Sequence, residues 1–233
     1  MQQLYDFYIL HQCKYKENSL LVSIFTREFG KISGLIRVNK KTINLYQPLV
    51  KLRGQISLAK KSDGLSKIYN VEFIESFYQN TYINLLSLQY MNELIYLLLS
   101  YSHEEEFLFE KYGFILKNIN EINYKYLLRM FELELLDSLG QGVYVDCDID
   151  GMLIDESLSY SILTTGFKKN LSTIPNSIAG KNLLKINQSV SLWTDEDLKA
   201  ISKVTRAYID YALAGKQLRS RKLLIDYLNL GKK

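Results

Sequence analysis

The sequence has few of the residues that build disulfides, metal sites or catalytic centres. Among 233 residues there are only two cysteines, two histidines and two prolines. Cys13 and Cys147 cannot form a disulfide framework, which is typical of a protein in a reducing cytosol. His103 precedes two glutamates but has no second histidine four residues on, so the zinc-protease motif is excluded. Glycine-rich nucleotide loops, a nucleophile elbow and Cys-x-x-Cys pairs are also lacking, and we predict a protein that is not an enzyme and needs no cofactor.

Segments that would direct the chain to a membrane are lacking as well. The first residues have neither the charged nor the apolar region of a signal peptide. The longest apolar run, residues 83–99, is interrupted by polar side chains and indicates a buried helix rather than a membrane span. With 47% apolar residues, the chain is long enough to bury a hydrophobic core. We expect a globular cytoplasmic protein.

Charge is distributed unevenly along the chain although the net charge is only +4. Residues 1–80 carry +6, residues 81–150 carry −8 and residues 151–233 carry +6. Such a pattern is compatible with ordinary solvated surfaces. It is also compatible with two basic ends that follow phosphates and an acidic middle used for protein contacts.

The first eighty residues predict a small β-barrel. Five short segments rich in β-branched and aromatic residues are separated by turn residues; they are residues 4–10, 20–26, 31–38, 48–59 and 65–75. An OB-fold fits this pattern, and so does any other small barrel. Basic residues occur mainly at strand ends and loops, with Tyr46 and Tyr69 interspersed, a mixture that suits single-stranded nucleic acid.

From residue 80 the pattern becomes helical. We predict helices over residues 83–101, 104–118 and 122–139, the second preceded by the capping residue Ser102 and the third followed by Gly140 in a left-handed conformation. Thr194 with Asp197 predicts the start of a further helix that Gly215 ends, and a last helix covers residues 220–230.

Several short sequence blocks occur in order along the chain: Glu17–Leu21, Phe25-Thr26 with Gly30, Gln47-Pro48, Tyr90-x-Asn92-Glu93-Leu94, Leu108-Phe109 with Tyr112, Leu128-Arg129-x-Phe131-Glu132-Leu133-x-Leu135-Leu136 with Leu139-Gly140, and Gly215-Lys216-x-Leu218-x-Ser220-Arg221. Taken together, these blocks resemble the RecO family of bacterial recombination mediators. Each block is short, but together they span nearly the whole chain. Because the blocks occur in the same order as in the family, the set is specific although no single block is.

The resemblance implies an α+β protein with an N-terminal OB-fold barrel over residues 1–79 and an α-helical C-terminal domain over residues 80–233. Residues 141–192 would form an irregular insertion that contains a degenerate zinc knuckle. The implied function is DNA repair and recombination: binding single- and double-stranded DNA, annealing complementary strands and, with RecR, loading RecA onto DNA coated by single-strand-binding protein (SSB). The alternative is a protein-bridging adaptor of the repair machinery with little DNA affinity. Either would act in the cytoplasm near the nucleoid.

The knuckle region departs from the commoner family pattern. Cys147 and Gly151 are kept, but Asp150 replaces the second cysteine and no second cysteine pair follows. A structural zinc site needs four ligands, so we predict no metal. We expect hydrogen bonds and packing to hold this turn, and a buried Cys147 to act as a small apolar residue.

Two groups of candidate binding residues follow from the resemblance and the charge pattern. For DNA we predict Lys31, Arg37, Lys40, Lys41, Lys51, Arg53, Lys60, Lys61, Lys216, Arg219, Arg221 and Lys222. For the acidic, phenylalanine-ended C-terminal tail of SSB we predict Arg129, Leu133 and Leu136 on the third helix. The alternative for Arg129 is a structural ion pair with Glu132 or with an acid on a neighbouring helix.

Overall fold

The chain folds into two units, each defined by its own contacts. The computed structural model describes residues 3–61, 64–79, 81–101, 103–172, 174–175 and 177–230. The first unit contains residues 1–121 and 217–233, and the second contains residues 122–216. The domain boundary between residues 79 and 80 stays a prediction.

The regular elements alternate with short loops. The strands are β1 (Tyr5–Lys14), β2 (Ser19–Thr26), β3 (Gly30–Arg37), β4 (Val50–Ser57), β5 (Ser66–Ser76), β6 (Ser159–Leu163), β7 (Gly166–Lys169) and β8 (Ile178–Ala179). The helices are α1 (Tyr82–Leu98), α2 (Glu106–Asn118), α3 (Tyr124–Ser138), α4 (Gly180–Leu183), α5 (Asp195–Leu213) and α6 (Arg219–Leu230). Within the described residues, no helix is both long and apolar enough to cross a membrane.

The first five strands close into a barrel in the order β1-β2-β3-β5-β4, with β4 paired back to β1. The β3–β5 pair is parallel and the other pairs are antiparallel. This is the five-stranded architecture of the OB-fold, and it confirms the predicted fold class of a barrel followed by helices. Gly34 permits the β3–β5 pairing, since a Cβ there would lie 2.7 Å from the Ile68 side chain.

Helices α1 and α2 are joined to the barrel by buried hydrogen bonds as well as by apolar packing. The Asn92 side chain of α1 donates to the Leu10 carbonyl of β1 over 2.7 Å. The Tyr112 hydroxyl of α2 donates to the side-chain oxygen of the same asparagine, Asn92, over 3.1 Å. Because α1 is apolar on most of its faces, it is buried as its sequence predicts. The predicted capping residue Ser102 lies outside the described residues.

Helix α6 is held at its N-terminus by a carboxylate from α1. Glu93 accepts hydrogen bonds from the Arg219 and Ser220 backbone N–H groups over 3.1 and 2.8 Å, and from the Ser220 hydroxyl. A negative charge at this position satisfies N–H groups that have no partner within the helix. The contact joins two of the family-like sequence blocks, which are 127 residues apart along the chain.

In the second unit, the predicted start of α5 and the predicted end of α3 have the expected geometry. Thr194 and Asp197 form a reciprocal capping box at the start of α5. Gly140 follows α3 at φ +68°, and its N–H and that of Gln141 donate to the carbonyls of Asp137 and Leu136. These two bonds form a Schellman motif, which satisfies the last carbonyls of the helix.

Candidate nucleic-acid and partner-binding sites

The β1–β2 turn and the end of β3 bring five cations together at one end of the barrel. Ser19 of β2 pairs with Arg37 of β3, and the Val38 N–H donates to the Asn18 carbonyl over 3.0 Å. This register places the end of β1 and the β1–β2 turn, with one lysine each, beside the arginine that ends β3 and the two lysines that follow it. We call the resulting cluster the basic end; its members, all exposed, are Lys14, Lys16, Arg37, Lys40 and Lys41.

The loop after β3 has a defined shape. The Asn39 side chain accepts hydrogen bonds from the backbone N–H groups of Lys41 and Thr42 over 2.9 and 3.0 Å. An asparagine that binds the backbone two residues on fixes a tight turn. Lys40 and Lys41 therefore project from a turn whose conformation is held by hydrogen bonds.

An aromatic ring accompanies the basic end. Tyr15 is 41% exposed, and the Lys16 ammonium lies 5.4 Å from its ring centroid. Exposed aromatic rings among cations are the arrangement with which OB-folds stack bases and neutralise backbone phosphates. Sequence reasoning missed Lys14, Tyr15 and Lys16, because their proximity to Arg37 depends on the strand register.

Lys51 and Arg53 lie elsewhere on the barrel and share one acid. Asp6 on β1 binds the Lys51 ammonium at 3.0 Å and the Arg53 guanidinium at 2.6 Å. Burial raises the pKa of Asp6, but the hydrogen bonds and charges of Arg53 and Lys51 outweigh it and hold the pKa below its usual range. Asp6 therefore stays charged and offsets part of the positive charge that these two residues were predicted to offer DNA.

Lys31 does not present its charge to solvent. Its side chain is 4% exposed, its ammonium donates to the Tyr96 carbonyl over 2.8 Å, and it lies 4.4 Å from the Tyr101 ring centroid. A cation bound to a carbonyl of the last turn of α1 is favoured by the helix dipole. Lys31 thus fastens α1 to the barrel, and we remove it from the predicted DNA contacts.

The other predicted DNA contacts occupy separate segments. Lys60 and Lys61 are exposed in the β4–β5 loop, and Lys216 is exposed at the end of the second unit. Arg219, Arg221 and Lys222 lie on the first turn of α6. Arg221 is half-buried, with its guanidinium 5.8 Å from the Tyr90 ring, while Arg219 and Lys222 are exposed.

The three residues predicted for the SSB tail have different environments on α3. Arg129 donates to Glu132 over 2.7 Å and to the Ser202 hydroxyl over 2.6 Å, so the ion pair considered from the sequence is formed. Glu132 is 1% exposed and also accepts a 2.5 Å hydrogen bond from Thr205. Leu133 is half-buried, but Leu136 is fully buried and has no surface to offer a peptide in this conformation.

A buried aspartate holds the turn of the knuckle region. The Asp148 carboxylate accepts hydrogen bonds from the backbone N–H groups of Asp150 and Met152 over 3.0 and 2.9 Å. Gly151 completes the turn at φ +77°. Cys147 is exposed, so the prediction of a buried cysteine is wrong: the turn directs Asp148 inward and its neighbour outward.

The residues of the knuckle region do not fit a tetrahedral zinc. Asp148 is engaged by the backbone, and Cys147 has no second cysteine near it in the sequence. In the part of the chain that the structure describes, no three His, Cys, Asp or Glu side chains are grouped so that they could hold a metal ion. A structural zinc site requires four such ligands.

We expect Asp148→Ala to lower the free energy of unfolding of the second unit by about 1–2 kcal/mol, because two backbone N–H groups lose a charged acceptor. Urea unfolding followed by the fluorescence of Trp193, the only tryptophan of the chain, measures this loss. Asp150→Ala removes an exposed carboxylate two residues away and should change stability by less than about 0.5 kcal/mol. Equal losses in the two variants would contradict the role of Asp148.

Fold and surface together define an OB-fold protein with an added helical unit and a basic end on its barrel. Comparison with known proteins assigns it further. Residues 1–77 match the family described as Recombination protein O N terminal, and residues 79–222 match Recombination protein O C terminal. The chain belongs to the RecO family.

Curated relatives align with this chain over nearly all of its sequence. It is 99% identical over 233 residues to the DNA repair protein RecO of Francisella philomiragia, with complete coverage of both chains. It is 74% identical to that of Francisella tularensis subsp. novicida, again with complete coverage, and 32% identical to that of Vibrio vulnificus over 94% of this chain and 91% of the relative. Membership of this family supports a role in DNA repair.

Proposed function

We propose that this protein is a recombination mediator that binds single- and double-stranded DNA, anneals complementary strands and, with RecR, helps load RecA onto SSB-coated single-stranded DNA. The basic end on the OB barrel is the observation that carries the proposal. In this function the protein works by binding and positioning, without catalysis or cofactor, in the cytoplasm with the nucleoid.

Annealing requires that the repulsion between two phosphate backbones be reduced. Five exposed cations within one cluster, with Glu17 as an acid in the same turn, supply the positive charge for this. Tyr15 offers a ring that stacks on any base. Contacts of these kinds do not depend on the DNA sequence, because phosphate contacts only position the nucleic acid and its sequence is recognised through contacts to base edges.

Binding of a single-stranded oligonucleotide should weaken steeply with salt. If all five cations of the basic end meet phosphates, the slope of log affinity against log salt is about −3.5, which corresponds to a roughly 100-fold loss between 50 and 200 mM. Fluorescence polarisation across a salt series measures the slope, and a quenching assay with complementary strands measures annealing. Weak binding with a flat slope would favour the protein-bridging adaptor instead.

The proposed contact with the SSB tail rests on Arg129 and Leu133. The Arg129 side chain is 15% exposed and retains a surface that a terminal carboxylate can reach, and Leu133 offers part of its side chain next to it on α3. Glu132 competes for the same guanidinium. Tail binding at this position therefore has to replace or share an existing ion pair, which makes the interaction sensitive to Glu132 as well as to Arg129.

A further inference from the structure

Helix α2 presents two phenylalanine rings on the face that points away from the barrel. The residues that α2 buries follow the helical period and form one face; they are Leu108, Phe109, Tyr112, Ile115 and Leu116. Phe107 and Phe114 lie on the opposite face, where they are 83% and 52% exposed. Because seven residues are close to two full turns, both rings belong to the same stripe of the helix. Exposed apolar surface of this kind is characteristic of interaction sites.

The buried face fixes the direction in which these two rings point. The Phe109 ring packs against Phe25 of β2, with 5.4 Å between the ring centroids. The Tyr112 ring packs edge-on against Tyr8 of β1, with 5.0 Å between the centroids. The two exposed rings therefore cannot turn inward without breaking the packing between α2 and the barrel.

The charges along α2 change sign from one end to the other. Three glutamates, Glu104–Glu106, stand at its start, and Lys117 lies in its last turn. A parallel pair of such helices brings two acidic ends together, whereas an antiparallel pair sets each acidic end beside a basic end. Lys117 also pairs with Glu75 of its own chain over 3.0 Å, but both side chains are about half exposed, and an exposed ion pair is exchanged at little cost. Charge complementarity thus favours an antiparallel pair.

The positions of the two rings have the symmetry that such a pair requires. A two-fold axis that passes between residues 110 and 111 sets Phe107 of each copy against Phe114 of the other. Glu106 and Lys117 lie on one flank of the ring stripe, and across this axis their heights agree within about 3 Å on an ideal helix. The two copies of Glu110 approach each other near the axis. Each is bound to Arg27 of its own chain, so that two ion pairs meet there rather than two isolated acids.

The start of α2 lies away from the basic end of the barrel. The basic end is where Ser19 of β2 pairs with Arg37 of β3, and the β2–β3 turn is the opposite end of this hairpin. The N–H of Glu105, the residue before α2, donates to the Arg27 carbonyl in that turn over 3.3 Å. A contact at the α2 rings is therefore separate from the proposed contact with DNA.

We propose that α2 forms a two-fold, antiparallel contact with α2 of a second copy of this chain. Phe107 and Phe114 of each copy form the apolar centre of the contact, and Glu106 and Lys117 border it. Two rings per copy cover much less than the about 800 Å² per partner of a stable interface, so the dimer is weak and forms at high protein concentration. The proposal does not depend on DNA binding.

Sedimentation equilibrium over a concentration series tests the contact. We expect the weight-average mass to rise from that of one chain towards that of two, with a dissociation constant on the order of 100 µM. Phe107→Ser should weaken the dimer at least about tenfold, because each copy loses a buried ring. Tyr78→Ser removes a ring of the same unit that is 84% exposed but lies outside α2, and it should dimerise like the unmodified protein.

A chain that stays monomeric over the whole series overturns the proposal, since an apolar surface meant for a different partner gives that result. Equal losses in the two serine variants overturn it as well. Both rings are exposed, so both variants should keep the fold, which circular dichroism checks. Oligonucleotide affinity, measured on the same samples, should be unchanged by Phe107→Ser and tests the proposed DNA function separately.

Disulfide cross-linking tests the antiparallel geometry. Cys13 and Cys147 are exposed, so both are first replaced with serine. In that background Glu110→Cys should give a cross-linked dimer on mild oxidation, because the two copies of residue 110 face each other across the axis. Glu106→Cys should not, because its two copies lie about 13 Å apart along the helices. No cross-link at residue 110, or equal yields at the two positions, overturns the antiparallel pair.

Discussion

Replacing Arg37, Lys40 and Lys41 together with glutamine is expected to weaken the binding of a single-stranded oligonucleotide about 100-fold at 0.1 M salt. Each phosphate contact to a single strand contributes about 0.7 to the exponent of the salt dependence, so three lost contacts lower this exponent by about two. At 0.1 M salt, that change in the exponent corresponds to a loss of about two powers of ten in affinity. The slope itself should become shallower by about two. The three side chains are exposed, so the stability of the barrel should change little.

The matched control removes the same three charges from the second unit. Lys199, Lys203 and Arg206 lie exposed along one face of α5, and their replacement with glutamine lowers the net charge by the same amount. We expect a change of less than about threefold in oligonucleotide affinity. Equal losses in both triple variants would indicate a general effect of net charge, and an unchanged affinity in the first would exclude the basic end as the DNA interface.

Arg129→Ala is expected to lower the free energy of unfolding of the second unit by about 3–5 kcal/mol. The substitution removes the guanidinium that binds Glu132, which is 1% exposed, and breaking a buried ion pair by removing one partner is among the most costly defects. Urea unfolding followed by Trp193 fluorescence measures the loss. A change below about 1 kcal/mol would contradict the structural role of the pair.

The paired variant Arg129→Met/Glu132→Gln should recover most of that stability. It removes both charges, keeps side chains of similar volume and leaves an amide for the Thr205 hydroxyl. This variant also gives a valid test of the SSB tail, because the protein stays folded without the guanidinium. A fluorescent tail peptide should then bind several-fold more weakly while oligonucleotide affinity is unchanged, and equal peptide affinity would remove Arg129 from the site.

Local patterns predicted the elements of this fold well, because their causes lie within a few residues. Alternating apolar residues identified the five strands, and the cap residues Thr194, Asp197 and Gly140 marked helix ends that the structure confirms. The spacing of Arg129 and Glu132 on one helix likewise allowed their ion pair to be foreseen as an alternative.

Features that depend on distant segments could not be predicted in the same way. Lys31 is buried because Tyr96 and Tyr101 approach it from a helix end at least 65 residues away, and a lysine beside a turn otherwise indicates a surface position. Cys147 is exposed, contrary to its predicted burial, because the hydrogen bonds of one turn direct the Asp148 side chain inward instead. The basic end required the pairing of β2 with β3.

The hydrogen bonds from Arg219 and Ser220 to Glu93 have a consequence for how the protein is made. The first unit takes its last helix from the end of the chain, so the second unit is fully synthesised before α6 leaves the ribosome. Until then the barrel and α1 exist without their final helix, and Glu93 has no helix terminus to bind. Since domains tend to fold as units during synthesis, we expect the unit that contains the barrel to be completed only after the second unit has been made.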